Sequence, residues 1–279
     1  MIVNIAKTAG FCFGVKRAVD LVYKECENSH QVYTFGPIIH NEEVVKDLEN
    51  KGVVVINTQE ELLSIETGTV IIRSHGVPKC IYDILTAKQI KIVDATCPFV
   101  RKIHKIVEDY SSKGSDVIII GNDSHPEVEG IKGWCLDKVY VVKSLEEVNK
   151  LQINNDKICV VSQTTFNHIQ YEKIVNAIKA NYKDAYIVNT ICNATHERQE
   201  EAIELAKKSD VMIVVGGKNS SNTQKLYSIC KNECSNTFYI QKSSDLELDK
   251  IDSAASIGIT AGASTPNNII KEVFDQCQK

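Results

Sequence analysis

Residues 4–22, NIAKTAGFCFGVKRAVDLV, share one layout with residues 92–107, IVDATCPFVRKIHKIV, and residues 187–206, IVNTICNATHERQEEAIELA. Each stretch runs from short β-branched residues into a turn carrying a cysteine and then into helix-like spacing. The three cysteines, Cys12, Cys97 and Cys192, lie 85 and 95 residues apart. The next landmarks repeat those intervals: His40, His125 and Ser220 follow apolar runs at the same separations. Further on, each block has an S/T-x-x-E pair of the kind that caps a helix start: Thr58 with Glu61, Ser144 with Glu147, Ser244 with Glu247. A last landmark in each block falls near His75, Thr164 and Ser264. The chain therefore reads as three copies of a four-strand β/α module, about 90 residues each. The expected lobes are 13–97, 98–191 and 192–279, with residues 1–12 joining the third.

Strands are expected at 2–5, 32–35, 53–56, 70–73, 91–93, 117–120, 139–142, 158–161, 185–188, 211–215, 238–240 and 256–260, with helical segments between. In residues 99–110, Val100, Ile103, Val107 and Tyr110 fall on one face. Continuous apolar strands alternating with helices indicate parallel sheets covered on both faces. The expected fold is α/β, with three modules related by a pseudo-threefold axis.

At 279 residues, 43% hydrophobic and 24% charged, the chain has ordinary globular composition. A formal net charge of -4 argues against a strongly basic nucleic-acid or membrane-surface protein. No apolar run approaches the ~20 residues of a membrane span. The opening MIVNIAKTAGFCFG has no long apolar region, so no signal peptide is expected and the expected location is the cytoplasm. Ten cysteines without an export signal should stay reduced. No CxxC pair occurs, and the closest spacing, Cys230 to Cys234, disfavours a zinc finger or ribbon.

Ligands of open α/β sheets bind beyond the carboxyl ends of the strands. Three modules around one axis would bring one cysteine each to a common centre. Such a set suits a Cys₃ zinc with an open position or a [4Fe–4S] cluster with one iron lacking a cysteine. Ligands from three distant turns favour the cluster. The other seven have duller roles: Cys26, Cys80 and Cys230 in helical segments, Cys159 in a strand, Cys277 near a frayed terminus, Cys135 and Cys234 in loops.

His40, His75 and His125 sit after strands, as do Thr164, Thr165, Ser220, Ser221, Asn222 and Ser264. Each alone is most simply a helix cap. Together they make an anion site, suited to a phosphorylated ligand. Residues 216–222, GGKNSSN, are not a Walker A loop, and GxGxxG is absent, so no ATP or NAD fingerprint is present. Glu127, in SHPEVEG at 124–130, is either a glutamate favoured by the helix dipole or a proton donor. Glu129 competes for that role but should point elsewhere.

The stretches GFCFGVKRAV, GPIIHNEEV, RSHGV, DATCPFV, HPEVEG, SQTT, NTICNATHERQ, KNSSN and TAGASTP run in order from residue 10 to residue 266. In these the chain resembles the 4-hydroxy-3-methylbut-2-enyl diphosphate reductase (LytB) family. The resemblance implies three α/β lobes around a [4Fe–4S] cluster held by Cys12, Cys97 and Cys192, with one open iron. It implies a diphosphate pocket of His40, His75, His125, Ser220, Ser221, Asn222 and Ser264. Thr164 would position the substrate alcohol and relay protons, Glu127 would supply the proton, and His125 would assist catalysis. The implied reaction is reductive dehydroxylation of (E)-4-hydroxy-3-methylbut-2-enyl diphosphate to isopentenyl and dimethylallyl diphosphate, the last step of the methylerythritol phosphate route to isoprenoids. With no flavin or nicotinamide motif, reduced ferredoxin or flavodoxin is the expected electron donor. No nucleic acid or membrane partner is expected. The rivals are a quinolinate-synthase-like dehydratase and a non-catalytic iron–sulfur carrier.

Overall fold

The structure, a computed structural model, describes residues 2–28, 31–252 and 254–278; Met1 and Lys279, the outer limits of the expected lobes, lie outside them. The chain opens with β1 (Ile2–Ile5) and α1 (Phe13–Asn28). The first block contains β2 (Val32–Phe35), α2 (Glu42–Asn50), β3 (Val53–Ile56), α3 (Gln59–Ser64), β4 (Thr69–Ile72), α4 (Lys79–Ala87) and β5 (Lys91–Asp94). After α5 (Pro98–Ser112) the second contains β6 (Asp116–Ile120), α6 (Pro126–Lys132), β7 (Val139–Val142), α7 (Leu145–Lys150), β8 (Ile158–Ser162), α8 (His168–Asn181) and β9 (Tyr186–Ile187). After α9 (Asn193–Ala206) come β10 (Val211–Val215), α10 (Ser221–Glu233), β11 (Thr237–Ile240), β12 (Ser256–Ala261) and α11 (Asn267–Cys277).

Among the described residues twelve strands form three four-stranded sheets, ordered β3-β2-β4-β5, β7-β6-β8-β9 and β11-β10-β12-β1. Every strand pairing is parallel. Each sheet thus has the order 2-1-3-4, and the N-terminal strand is the fourth member of the third sheet. All twelve expected strands are present; the widest difference is at 185–188, which contracts to Tyr186–Ile187.

The chain packs as two compact units. One comprises Met1–Lys16, Ile39–Asp47 and Asn193–Lys279, and holds the sheet closed by β1. Its β10 is buried along its whole length. Alternate residues explain this: Val211, Ile213 and Val215 pack against Ile269, Ile270 and Val273 of α11. Met212 and Val214 pack oppositely, against Ala202 and Ala206 of α9 and Leu226 of α10. A strand covered on both faces has no polar side, hence the unbroken VMIVV. Each such side chain contributes about 1.5–3 kcal/mol on burial.

The other unit, Arg17–Ile38 and Leu48–Cys192, holds two sheets. In one, Val70 and Ile72 of β4 pack with Leu62, Ile65, Val77, Ile81 and Leu85. In the other, Ile118 and Ile120 face Tyr171, Ile174 and Ile178 of α8. Val117 and Ile119 face Ile103 and Val107 of α5 and Val128 and Ile131 of α6. α6 lies against the turn after β4: Gly133 sits so close to Pro78 that a Cβ there would come within 2.3 Å of the ring, and Trp134 Nε1 donates to Val77 O at 2.9 Å.

Two of the three expected caps form. Thr58 accepts from Glu61 N at 3.2 Å while Glu61 accepts from Thr58 N, a reciprocal box. Ser144 accepts from Glu147 N at 3.3 Å, with Glu147 reaching back to Lys143 N. Ser244 with Glu247 is not a cap. Ser244 lies inside a 3₁₀ turn, Ser243–Asp245, and Asp245 takes the amides of Gln241 and Lys242 first. Cys277 is not frayed either: it closes α11 at 1% exposure.

Candidate active site

Cys12, Cys97 and Cys192 occupy equivalent places in the three sheets. Each immediately precedes a helix: α1, α5 and α9. Each donates its amide to the turn after the third strand of its sheet: Cys12 N to Ala263 O at 3.3 Å, Cys97 N to Ser74 O at 2.9 Å, Cys192 N to Thr164 O at 3.0 Å. The three are reduced and partly exposed. Burial pushes the thiols of Cys135, Cys159 and Cys230 up to about 12, and that of Cys277 to about 11. Those thiols stay protonated and make poor ligands, because the thiolate is the metal-binding form. Among the described residues no group of three His, Cys, Asp or Glu side chains is already arranged to hold a metal ion. The fit to a cluster with three sulfur ligands therefore lies in the equivalence of three accessible thiols on three like turns.

In the two-sheet unit Glu127, Thr164 and two histidines come together. Glu127, one residue into α6 and 2% exposed, accepts from Thr164 Oγ1 at 2.7 Å through one oxygen and from Thr164 N at 2.6 Å through the other. Glu129 on the same helix is exposed. His125 caps α6, its Nδ1 accepting from Glu127 N at 3.1 Å. An acceptor at Nδ1 leaves the proton of the neutral ring on Nε2, a donor for an anion. The His75 ring meets His125 edge to face at 5.7 Å. Gln163, fully buried, accepts from Asn122 N at 3.2 Å and donates to Thr165 Oγ1 at 3.0 Å, tying the turn after β6 to the one holding Thr164. Its place in SQTT was the only sequence signal of that role.

In the unit closed by β1 the polar turns gather likewise. Ser264 Oγ donates to His40 O at 3.1 Å. Gly217 approaches the same carbonyl so closely that a Cβ would stand 2.7 Å from it. Ser220 caps α10 by accepting from Thr223 N at 3.3 Å, and Ser221 is its first residue. Asn222 is 5% exposed, and neither its Oδ1 nor its Nδ2 has a hydrogen-bond partner. A buried amide is costly unless something bonds it, so Asn222 at a helix N-terminus points to a ligand. His40 itself is not a cap; Asn41 does that work for α2, accepting from Val44 N at 3.1 Å.

The LytB protein family model matches residues 3–278. The chain belongs to the LytB family. Two LytB relatives named 4-hydroxy-3-methylbut-2-enyl diphosphate reductase show how far this extends. That of Caldanaerobacter subterraneus subsp. tengcongensis is 49% identical over 278 residues, covering 99% of this chain and 96% of that protein. That of Clostridioides difficile is 47% identical, with 98% of each covered. Among solved structures, the E-1-hydroxy-2-methyl-but-2-enyl-4-diphosphate reductase of Plasmodium falciparum superimposes with a TM-score of 0.94 at 28% identity. The match covers 100% of this LytB chain and 88% of that one. A second, (E)-4-hydroxy-3-methyl-but-2-enyl diphosphate reductase, described as the terminal enzyme of the non-mevalonate pathway, gives 0.73 at 42% identity, covering 100% and 99%.

Proposed function

We propose that this LytB protein carries out the reductive dehydroxylation of (E)-4-hydroxy-3-methylbut-2-enyl diphosphate, giving isopentenyl and dimethylallyl diphosphate as the last step of the methylerythritol phosphate pathway. The observation that carries the proposal is the buried Glu127–Thr164 pair, a carboxyl and a hydroxyl 2.7 Å apart beside two imidazoles. Full-length identity to named reductases supports it. Three lobes, 13–97, 98–191 and 192–279 with 1–12, would each contribute one cysteine.

Bound by Cys12, Cys97 and Cys192, a [4Fe–4S] cluster with one cysteine-free iron would supply electrons and a Lewis acid for the substrate hydroxyl. The chain's own residues hold and move protons. His40, Ser220, Ser221, Asn222 and Ser264, with His75 and His125, bind the diphosphate through N–H and O–H donors. Thr164 Oγ1 holds the substrate alcohol, and protonated Glu127 passes its proton through that hydroxyl so that the oxygen leaves as water. The whole conversion takes two electrons and two protons and releases one water. The electrons come from reduced ferredoxin or flavodoxin. The reaction needs neither nucleic acid nor a membrane, and its place is the cytoplasm.

Anaerobically purified protein, loaded with iron and sulfide, should oxidise a reduced viologen when the substrate is added and release both five-carbon diphosphates. Substrate consumption without dye oxidation would make it a dehydratase. A loaded cluster that the dye reduces, but that substrate leaves unchanged, would reject the enzyme outright.

A further inference from the structure

A turn that presents a thiol needs anchors outside itself. Residues 7–10, leading to Cys12, are gripped by two side chains of α9. Glu201 accepts from Lys7 N at 2.7 Å, Thr8 N at 2.8 Å and Thr8 Oγ1 at 2.5 Å. Burial alone would raise the Glu201 carboxyl, but these bonds outweigh it and hold the group below the usual carboxylate range. Arg198, 3% exposed, donates to Thr8 O through Nε at 2.9 Å and again through Nη2, which also reaches Gly10 O at 2.8 Å.

The same device recurs in the other unit. Arg17 of α1 donates through Nη1 to Thr96 O at 3.2 Å and through Nη2 to Asp94 O at 3.1 Å, in the turn leading to Cys97. In both places an arginine binds two carbonyls two residues apart, just before a cysteine. In both, the helix carrying it begins directly after a different cysteine: α9 after Cys192, α1 after Cys12. The turn before Cys192 is held otherwise, by Thr190 Oγ1 donating to Ser162 O at 2.7 Å and accepting from Ser162 N at 2.7 Å. A guanidinium reaches two carbonyls with a rigid fork; a lysine ammonium is a single point on a flexible stem.

We propose that Arg17 and Arg198, the latter with Glu201, are positioning residues for the cluster ligands, Arg17 setting the Cys97 turn and Arg198 the Cys12 turn. This rests on the cysteine set given under the proposed function.

The test uses full-length Arg17→Lys and Arg198→Lys. In apo protein, hydrogen exchange should quicken at residues 94–97 for Arg17→Lys alone and at residues 7–12 for Arg198→Lys alone. After anaerobic reconstitution, iron loss to a chelator should be at least tenfold faster in both. The EPR signal of the reduced cluster should change as well, with the apo fold retained by circular dichroism. Glu201→Gln carries the same test for the Cys12 turn if Arg198→Lys does not fold. Folded variants that release iron at the parent's rate with an unchanged signal would overturn the proposal, as would exchange that quickens everywhere alike. A parent that takes up no iron or sulfide would remove the cysteine assignment first, and the positioning role with it.

Discussion

Glu127 offers the sharpest substitution. In Glu127→Gln the amide oxygen can still accept from Thr164 N, and the NH₂ can donate to Thr164 Oγ1, so both contacts of 2.6 and 2.7 Å have a substitute. Only the proton that the proposed function assigns to Glu127 is lost. Turnover is expected to fall about 10²–10⁴-fold, with iron content and substrate affinity near the parent's; steady-state kinetics on cluster-loaded protein check this. His104 of α5 tests the neighbourhood through pH. It is 1% exposed, its ring stacked on Trp134 at 5.2 Å, and Nε2 lacks a hydrogen-bond partner. Burial pushes its imidazole down to about 4, with Asp94 raising it and Arg101 lowering it to smaller degrees. An unfolded histidine titrates near 6.5. Between those values the unfolded chain binds a proton that the folded one refuses, so stability falls as pH drops from about 6.5 to 4, by up to about 3 kcal/mol. His104→Phe keeps the stack and should flatten that part of a urea-midpoint profile. Glu127 and Thr164 stood out in sequence because HPEVEG and SQTT set them in recognisable surroundings. Their mutual bond did not, since it joins turns 37 residues apart. The contact of Gln163 left no periodic mark for the same reason, since its bond to Asn122 N joins turns 41 residues apart, whereas the Asn41 cap is local, to Val44 N three residues on.

Strands were the most legible elements because apolar residues on both faces leave an unbroken signature, as in β6 and β10. Caps were less so. Thr58 and Glu61 close their box, whereas Asp245 displaces Ser244 by reaching the free amides one turn earlier. Thr58→Ala should cost about 1 kcal/mol through α3 and leave turnover alone, which thermal melts and kinetics together check. Gly262→Ala should act differently. A Cβ there would stand 2.0 Å from Thr223 Oγ1, and one at Gly216 would stand 2.6 Å from the same oxygen. Thr223 is fully buried and adjoins Asn222, so the added methyl must shift the start of α10. Overpacking of this kind costs about 1–3 kcal/mol. The substitution is expected to raise KM for the diphosphate at unchanged iron content, and an unchanged KM would separate α10 from diphosphate binding.

The threefold repeat was readable from intervals of 85 and 95 residues, and three sheets of one strand order answer to it. What spacing alone could not reveal is the grouping into two compact units, whose limits include points inside α1 and α2 as well as the junction of Cys192 with Asn193. Deleting residues 1–6 would strip β1 from β12, exposing the edge from Ser256 to Ile259. Faster hydrogen exchange along β12 and a lower melting temperature are expected, with the β2–β5 sheet unaffected. The pairing of β1 with β12 also has a consequence in time. A ribosome working at about 5–20 residues per second completes β12 roughly 10–50 s after β1 has emerged. Cys12, whose amide waits for Ala263, is thus the first of its set to be synthesised and the last to be seated. Seating of the Cys12 turn is thereby made to follow synthesis of β12.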